Sequence, residues 1–250
     1  GLLSLAHGAF VGLGAYTTAV LVGTHGWPWL GAVTFAAVIG FVAGVVTGLP
    51  GLRLRGTALA TATLGVAVIF PTLVRTFDST TGGANGFRVT ADLVPPSWTP
   101  WSPGDRQQWA FVMAVVIGLV MFVAAHNLLT SRVGRALNSI RENEIAAAAA
   151  GVPVGLLRVT TFGISAGFGA VGGGILVIDT PFVSPDSFIA LLSISLLTAA
   201  LVGGVGTLAG AVLGGLFVVF VPVFAAEVGG PDSLLLAPGV LYGLVLIGTM

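Results

Sequence analysis

Residues 187–226 read SFIALLSISLLTAALVGGVGTLAGAVLGGLFVVFVPVFAA, forty positions between Asp186 and Glu227 without one charged side chain. At about 1.5 Å per residue such a helix would run to about 60 Å, twice the roughly 30 Å hydrocarbon core of a bilayer. The stretch is therefore long enough for two crossings, with Gly203-Gly204-Val205-Gly206 as the natural break. The whole chain has the same character: 250 residues, 56% hydrophobic, mean hydropathy +1.06. Only 7% of it is charged, where soluble proteins carry about 25%. The expected fold class is all-α, a polytopic transmembrane helical bundle forming a single domain over residues 1–250.

Outward from that stretch, six other charge-free segments lie at 4–23, 29–48, between Arg55 and Arg75, at 109–129, 159–178 and 233–249, so that with one segment possibly broken or re-entrant about seven full spans are expected. Leu49-Pro50-Gly51 ends the second. Pro71 and the glycines at 51 and 56 make the third a candidate for a broken helix, so residues 57–75 either span or re-enter. A polar, proline-rich segment follows at 78–108, with Trp98 and Trp101 as interfacial anchors. Cytoplasmic loops retain arginine. With residue 1 inside, Arg53, Arg55, Arg132, Arg135, Arg141 and Arg158 fall inside, and Arg75, Arg88 and Arg106 outside. Residues 78–108 are then outside and 131–158 inside, unless the third segment re-enters.

Composition excludes several chemistries. Nine arginines balance nine acids and lysine is absent, so neither a basic nucleic-acid surface nor a phosphate-binding loop with its lysine can be built. Without cysteine there is no thiolate nucleophile and no cysteine-ligated metal, and His7, His25 and His126 lack metal-ligand spacing. No cofactor or metal site is expected. Gly204-Val205-Gly206-Thr207-Leu208-Ala209 fits the loose dinucleotide pattern, but no strand precedes it. No signal peptide is visible after Gly1.

Glycines four apart suit close helix packing in a membrane: Gly8/Gly12, Gly40/Gly44/Gly48, Gly163/Gly167, Gly169/Gly173, Gly206/Gly210/Gly214 and Gly239/Gly243. The long inside loop, 131–158, carries Arg141-Glu142-Asn143-Glu144 and an alanine run ended by Gly151 and Pro153, the pattern of a short amphipathic helix. Such a helix either rests on the membrane surface or docks a cytoplasmic partner.

Several pieces, in order, resemble the LivM-type permease of branched-chain amino acid ABC importers. They are Leu3-Ser4-Leu5-Ala6-His7-Gly8-Ala9-Phe10, Leu52-Arg53-Leu54-Arg55-Gly56 and Thr81-Gly82-Gly83-Ala84-Asn85-Gly86, then Gly134-Arg135-Ala136-Leu137. Ile140 to Ala147 with Gly151, then Ser184-Pro185-Asp186-Ser187-Phe188 and Gly203-Gly204-Val205-Gly206-Thr207, continue the match. The resemblance implies a multi-pass subunit of a bacterial inner membrane that pairs with a sister permease. It also implies an extracytoplasmic solute-binding protein as donor and two cytoplasmic ATPases as motors. It assigns ATPase coupling to Arg141, Glu142, Asn143, Glu144, Ala147 and Gly151, with Ala148 standing where the family commonly has a second Glu. Family members usually carry a further hydrophobic segment ahead of the part matching 4–15, so an N-terminal helix is expected to be missing.

Three functions compete: an ATP-driven importer permease, an ion-coupled secondary transporter, and an intramembrane enzyme. A coupled carrier places ionisable groups mid-span, whereas Asp179, Asp186, Glu227 and Asp232 fall at span ends. An enzyme needs a nucleophile-base constellation; Ser4 and His7 are near one another but read better as a packing hydroxyl and an interfacial histidine. His126 also reads as interfacial. Ser193, Ser195 and Thr198 give the sixth span its polar positions and are the candidates for a translocation path, although membrane-helix hydroxyls more often bond within the bundle.

Overall fold

The computed structural model describes residues 4–52, 56–90, 93–95 and 105–229. The expected span at 233–249, with Gly239 and Gly243, and the residues Arg53, Arg55, Trp98 and Trp101 lie outside the described residues. In chain order the elements are α1 His7–His25, α2 Trp29–Gly48, α3 Thr57–Thr76, the single turn α4 Asp78–Thr81, and strand β1 Phe87–Arg88. There follow α5 Arg106–Thr130, α6 Arg132–Glu142, α7 Glu144–Ala149, α8 Val154–Asp179, strand β2 Phe182–Val183, α9 Ala190–Gly203 and α10 Leu208–Gly229. Among the described residues, four helical segments are long and apolar enough to cross a membrane: Trp29–Leu52, Ala58–Thr76, Arg106–Thr130 and Val154–Asp179.

Lipid offers no hydrophobic reward for helix association, so backbones must come close enough for dispersion to act. The centre of the bundle, α1, α2 and α8, is built that way. A methyl group on Gly14 would overlap the carbonyl of Ala170, and one on Gly173 the carbonyl of Val11. Gly40 lies against Ala170, Gly44 against Ala166 and Gly48 against Phe162, so α2 runs antiparallel to α8. Gly169 meets Phe10 and Gly174 meets Thr18, so α1 runs parallel to it. Outward-facing Val38, Val42 and Val46 of α2 and Val115, Val116, Leu119 and Val120 of α5 are exposed apolar stripes suited to lipid, not water.

These directions define two ends. At one end the turn after α2 meets the start of α8, where Leu52 packs on Gly155, and α6 and α7 lie beside them. At the other, β1 pairs with β2 antiparallel, Phe87 opposite Val183, and Arg106 donates to the carbonyl of Ile178 over 3.2 Å. The third segment is a continuous helix through Pro71, which removes only one ladder bond. Its early Thr63 accepts the N–H of Leu5, and its late Arg75 pairs with Asp186, so α3 passes from the first end to the second. The break expected there occurs instead ahead of α9. The 187–226 stretch is helical for only 14 residues before Gly203, roughly 21 Å, which does not cross a bilayer core. α9 and α10 form the expected hairpin at 204–207, where Gly204 (φ 98) and Gly206 (φ 100) take backbone shapes other residues avoid. Gly203 and Gly214 let the two legs touch backbone to backbone.

Two outcomes check this arrangement. Ser79→Cys and Ile145→Cys, in a chain with no native cysteine, should be labelled from opposite sides of the membrane. Gly173→Ala should lower the thermal midpoint of the detergent-purified protein by an overpacking cost of about 1–3 kcal/mol. Gly172→Ala, whose added methyl meets open space, should leave it unchanged or raise it.

Candidate functional site

α1 begins inside the bundle. His7 Nε2 lies 2.9 Å from Ser165 Oγ, and Ser165 stands roughly 16 Å from the start of α8 and 21 Å from its end at about 1.5 Å per residue. Lipid offers no partner at that depth for the unpaired N–H groups of a helix start. Side chains from three other elements and the α1 lead-in supply the partners. Thr63 of α3 accepts the N–H of Leu5 at 3.0 Å, Ser4 that of Ala6 at 3.3 Å, and Ser193 of α9 that of Gly8 at 2.9 Å, while Ser165 of α8 holds His7. Gly8 has no alternative, since a methyl there would come 2.7 Å from Ser193 Oγ.

α9 also begins inside. Phe188, just ahead of it, abuts Gly12 of α1, while Ser193 abuts Gly8, so α9 starts level with the lower half of α1 and runs antiparallel to it. The chain reaches that depth through Ser184 and Pro185, where Ser184 Oγ accepts the N–H of Asp186 at 3.3 Å and Pro185 opens a 3-10 turn. Above the polar cluster, on the β1–β2 side, Tyr16, Phe70 and Phe188 form three edge-on ring contacts with centroids 6.2 to 6.4 Å apart. Tyr16 Oη donates to the carbonyl of Val183 at 3.4 Å.

A second site lies at the opposite end. Ser131 caps α6, and Gly134 allows that helix to turn tightly against Leu129. Asn143 breaks α6 from α7 and caps α7, accepting the N–H groups of Ile145 and Ala146 at 3.0 Å each. Gly151, at φ 84, ends the element with no atom near the position of a side chain. Glu144 is half-buried and forms an ion pair with Arg158 near the start of α8, and Ala147 is buried. Ile145, 83% exposed, projects outward beside exposed Ala148 and Ala149. Arg141 reaches back to the α9–α10 turn, where its guanidinium lies against Gly206.

Of the residues assigned to coupling, Arg141, Glu142, Asn143 and Gly151 are exposed, while Glu144 and Ala147 face the bundle. Of the path candidates, Ser193 reaches the mid-depth cluster. Ser195 and Thr198 are buried and donate to their own helix, to Leu192 O at 2.8 Å and Ile194 O at 2.9 Å. Ser4, read from sequence as a packing hydroxyl, accepts the N–H of Ala6, whereas His7, read as interfacial, stands mid-depth. The sequence places histidine near the chain start, but only α8 shows how deep that start lies. Among the described residues no three His, Asp or Glu side chains gather as metal ligands.

Helices that begin within a membrane bundle, beside polar side chains, are the architecture of membrane transport proteins. A family model described as the permease component of the branched-chain amino acid transport system matches residues 1–250, and the chain belongs to that family. It is similar to the high-affinity branched-chain amino acid transport system permease protein LivM of Salmonella typhimurium, 31% identical over 226 residues, which are 83% of this chain and 53% of that protein. The probable LivM of Methanocaldococcus jannaschii is 28% identical over 197 residues, 77% of this chain and 54% of that one. The LivH permease protein of Escherichia coli K12 is 25% identical over 233 residues, 86% of this chain and 73% of its own. The chain thus spans about half the length of the LivM relatives it matches. No solved structure matches it. The protein is a multi-pass membrane protein of that family.

Ser193→Ala should strand the Gly8 N–H and cost about 1–3 kcal/mol, read as a lowered thermal midpoint in detergent. Ser195→Ala, which removes only a bond to its own helix, should be nearly neutral.

Proposed function

We propose that this chain is the membrane-spanning part of a permease subunit in an ATP-driven importer of branched-chain amino acids or closely related small solutes, in a bacterial inner membrane. The α6–α7 elbow carries the reading. It is a helix pair outside the bundle, capped at both joints and tied to α8 by the Glu144–Arg158 pair, that exposes Ile145 to whatever lies beyond the membrane face. An exposed apolar side chain on a rigid element suits a pocket on a partner. A chain without lysine holds no phosphate-binding loop of its own, so ATP energy arrives through such a contact.

The partners are two cytoplasmic ATPase subunits at the elbow, a sister permease alongside, and an extracytoplasmic solute-binding protein at the β1–β2 end. Matches to both LivM and LivH of the same Escherichia coli strain support a pair of related permeases. Within the elbow, Ile145, Glu142, Ala148 and Arg141 meet the ATPase. Asn143 and Gly151 shape the element, and Glu144 and Ala147 hold it to α8. The central parts of α1, α2, α3, α5, α8, α9 and α10 carry no Asp, Glu or Arg, which supports a path without an ion-coupling site.

Ile145→Asp should leave the subunit inserted but reduce its co-purification with tagged ATPases by about tenfold or more, the weight of one lost interface anchor. Glu144→Arg should do the same, and adding Arg158→Glu should restore co-purification by re-forming the pair. Full ATPase recovery with Ile145→Asp contradicts the docking role.

A further inference from the structure

The polar cluster at the start of α1 borders a cavity of about 210 Å³ lined by Ser4, His7, Ser193, Leu196, Leu197, Leu201 and Val205, with Ala200. His7 also borders a smaller space of about 80 Å³ on its other side, with Ser165, Thr161 and Phe162. The larger cavity holds about seven waters at roughly 30 Å³ each, the size of a small aliphatic amino acid. Its shape has a direction. It starts at mid-depth beside Ser193, below the Tyr16–Phe70–Phe188 cluster, and follows α9 to Val205 in the 204–207 turn beside Arg141.

The lining divides by chemistry. A serine hydroxyl has one proton to give and two lone pairs to receive. Ser4 Oγ already accepts the N–H of Ala6, and Ser193 Oγ that of Gly8. Each therefore has its proton left to offer, so one end of the cavity presents two O–H donors and the His7 ring. The flank is aliphatic: Leu196, Leu197, Leu201 and Val205. Paired donors at one end and a branched apolar wall along the side fit a solute with a carboxylate or carbonyl acceptor and an aliphatic body. They do not fit a solute with a cationic side chain, which would run along the aliphatic flank with no acidic group there.

We infer that this cavity is a halfway station for the transported solute, reached from the elbow side in this conformation, with Ser4 and Ser193 donating to its carboxylate and Leu196, Leu197 and Leu201 receiving its side chain. The Tyr16–Phe70–Phe188 cluster closes it toward the β1–β2 end. This rests on the importer reading above.

The test uses the full-length chain assembled with its partner subunits, in inside-out membrane vesicles for the labelling, in intact cells for uptake and in detergent for ATPase activity. Leu197→Cys should react with a small methanethiosulfonate reagent from the elbow side. Leucine at about four times a millimolar Kd should slow that reaction about fivefold, the 1 + [L]/Kd factor of simple occupancy, whereas arginine should not. Leu197→Trp, which fills the cavity, should reduce uptake by about tenfold or more while ATPase activity persists. A cysteine that is unreactive from that side, or reactive but unprotected by leucine, overturns the inference, as does wild-type uptake by Leu197→Trp. If Leu197→Trp fails to insert, the cysteine result decides alone. ATP-driven uptake by the unmutated assembly separates the two levels: present without protection, only the station is lost; absent, the importer reading falls as well.

Discussion

A backbone N–H left without a partner inside a bilayer costs several kcal/mol, and two helices of this protein begin at a depth where lipid offers none. The start of α1 is therefore possible only because Thr63, Ser4 and Ser193 accept its N–H groups, and the approach to α9 only because Ser184 and Pro185 turn the chain. The same side chains join four elements at one point. α1, α3, α8 and α9 are linked there by hydroxyls and an imidazole in an otherwise apolar bundle. The polar bonding that satisfies the backbone also sets Ser4, His7 and Ser193 against the cavity that follows α9.

Glycine makes that meeting point reachable. Contacts such as Gly14 on Ala170 and Gly173 on Val11 bring α1 and α8 together at backbone distance, which sets the depth of His7 against Ser165. The two ends of α8 then carry different tasks. Arg158 near its start holds the elbow through Glu144, and Ser165, two turns further, holds His7. A tilt of the elbow would move both, and Arg141 against Gly206 gives a second mechanical link to α9.

Much of this was legible in the sequence because membrane spans are set by length and charge. The boundaries of α2 match the charge-free stretch at 29–48, the hairpin break falls at the predicted glycines, and the elbow appears where arginine, glutamate and alanine suggested a short helix. The span interior was less legible. Pro71 looked like a break, but a membrane helix tolerates one lost ladder bond when its neighbours enclose it. The inward start of α9 was signalled by Ser184-Pro185, a helix-start pattern that lies just ahead of the charge-free stretch. Glu144 looked like a partner-facing charge because nothing in a linear reading brings Arg158, fourteen positions on, to its side. His7 looked interfacial because its depth depends on α8, not on its own neighbours.

The central claim is that solute movement through this subunit is driven by ATP spent elsewhere and not by an ion gradient. It is tested most directly by uptake of labelled leucine into proteoliposomes holding the assembled transporter and its binding protein, with the energy source varied. The account predicts uptake that requires enclosed ATP and the binding protein and is indifferent to an imposed proton or sodium gradient. Uptake that persists without ATP and follows such a gradient would contradict it.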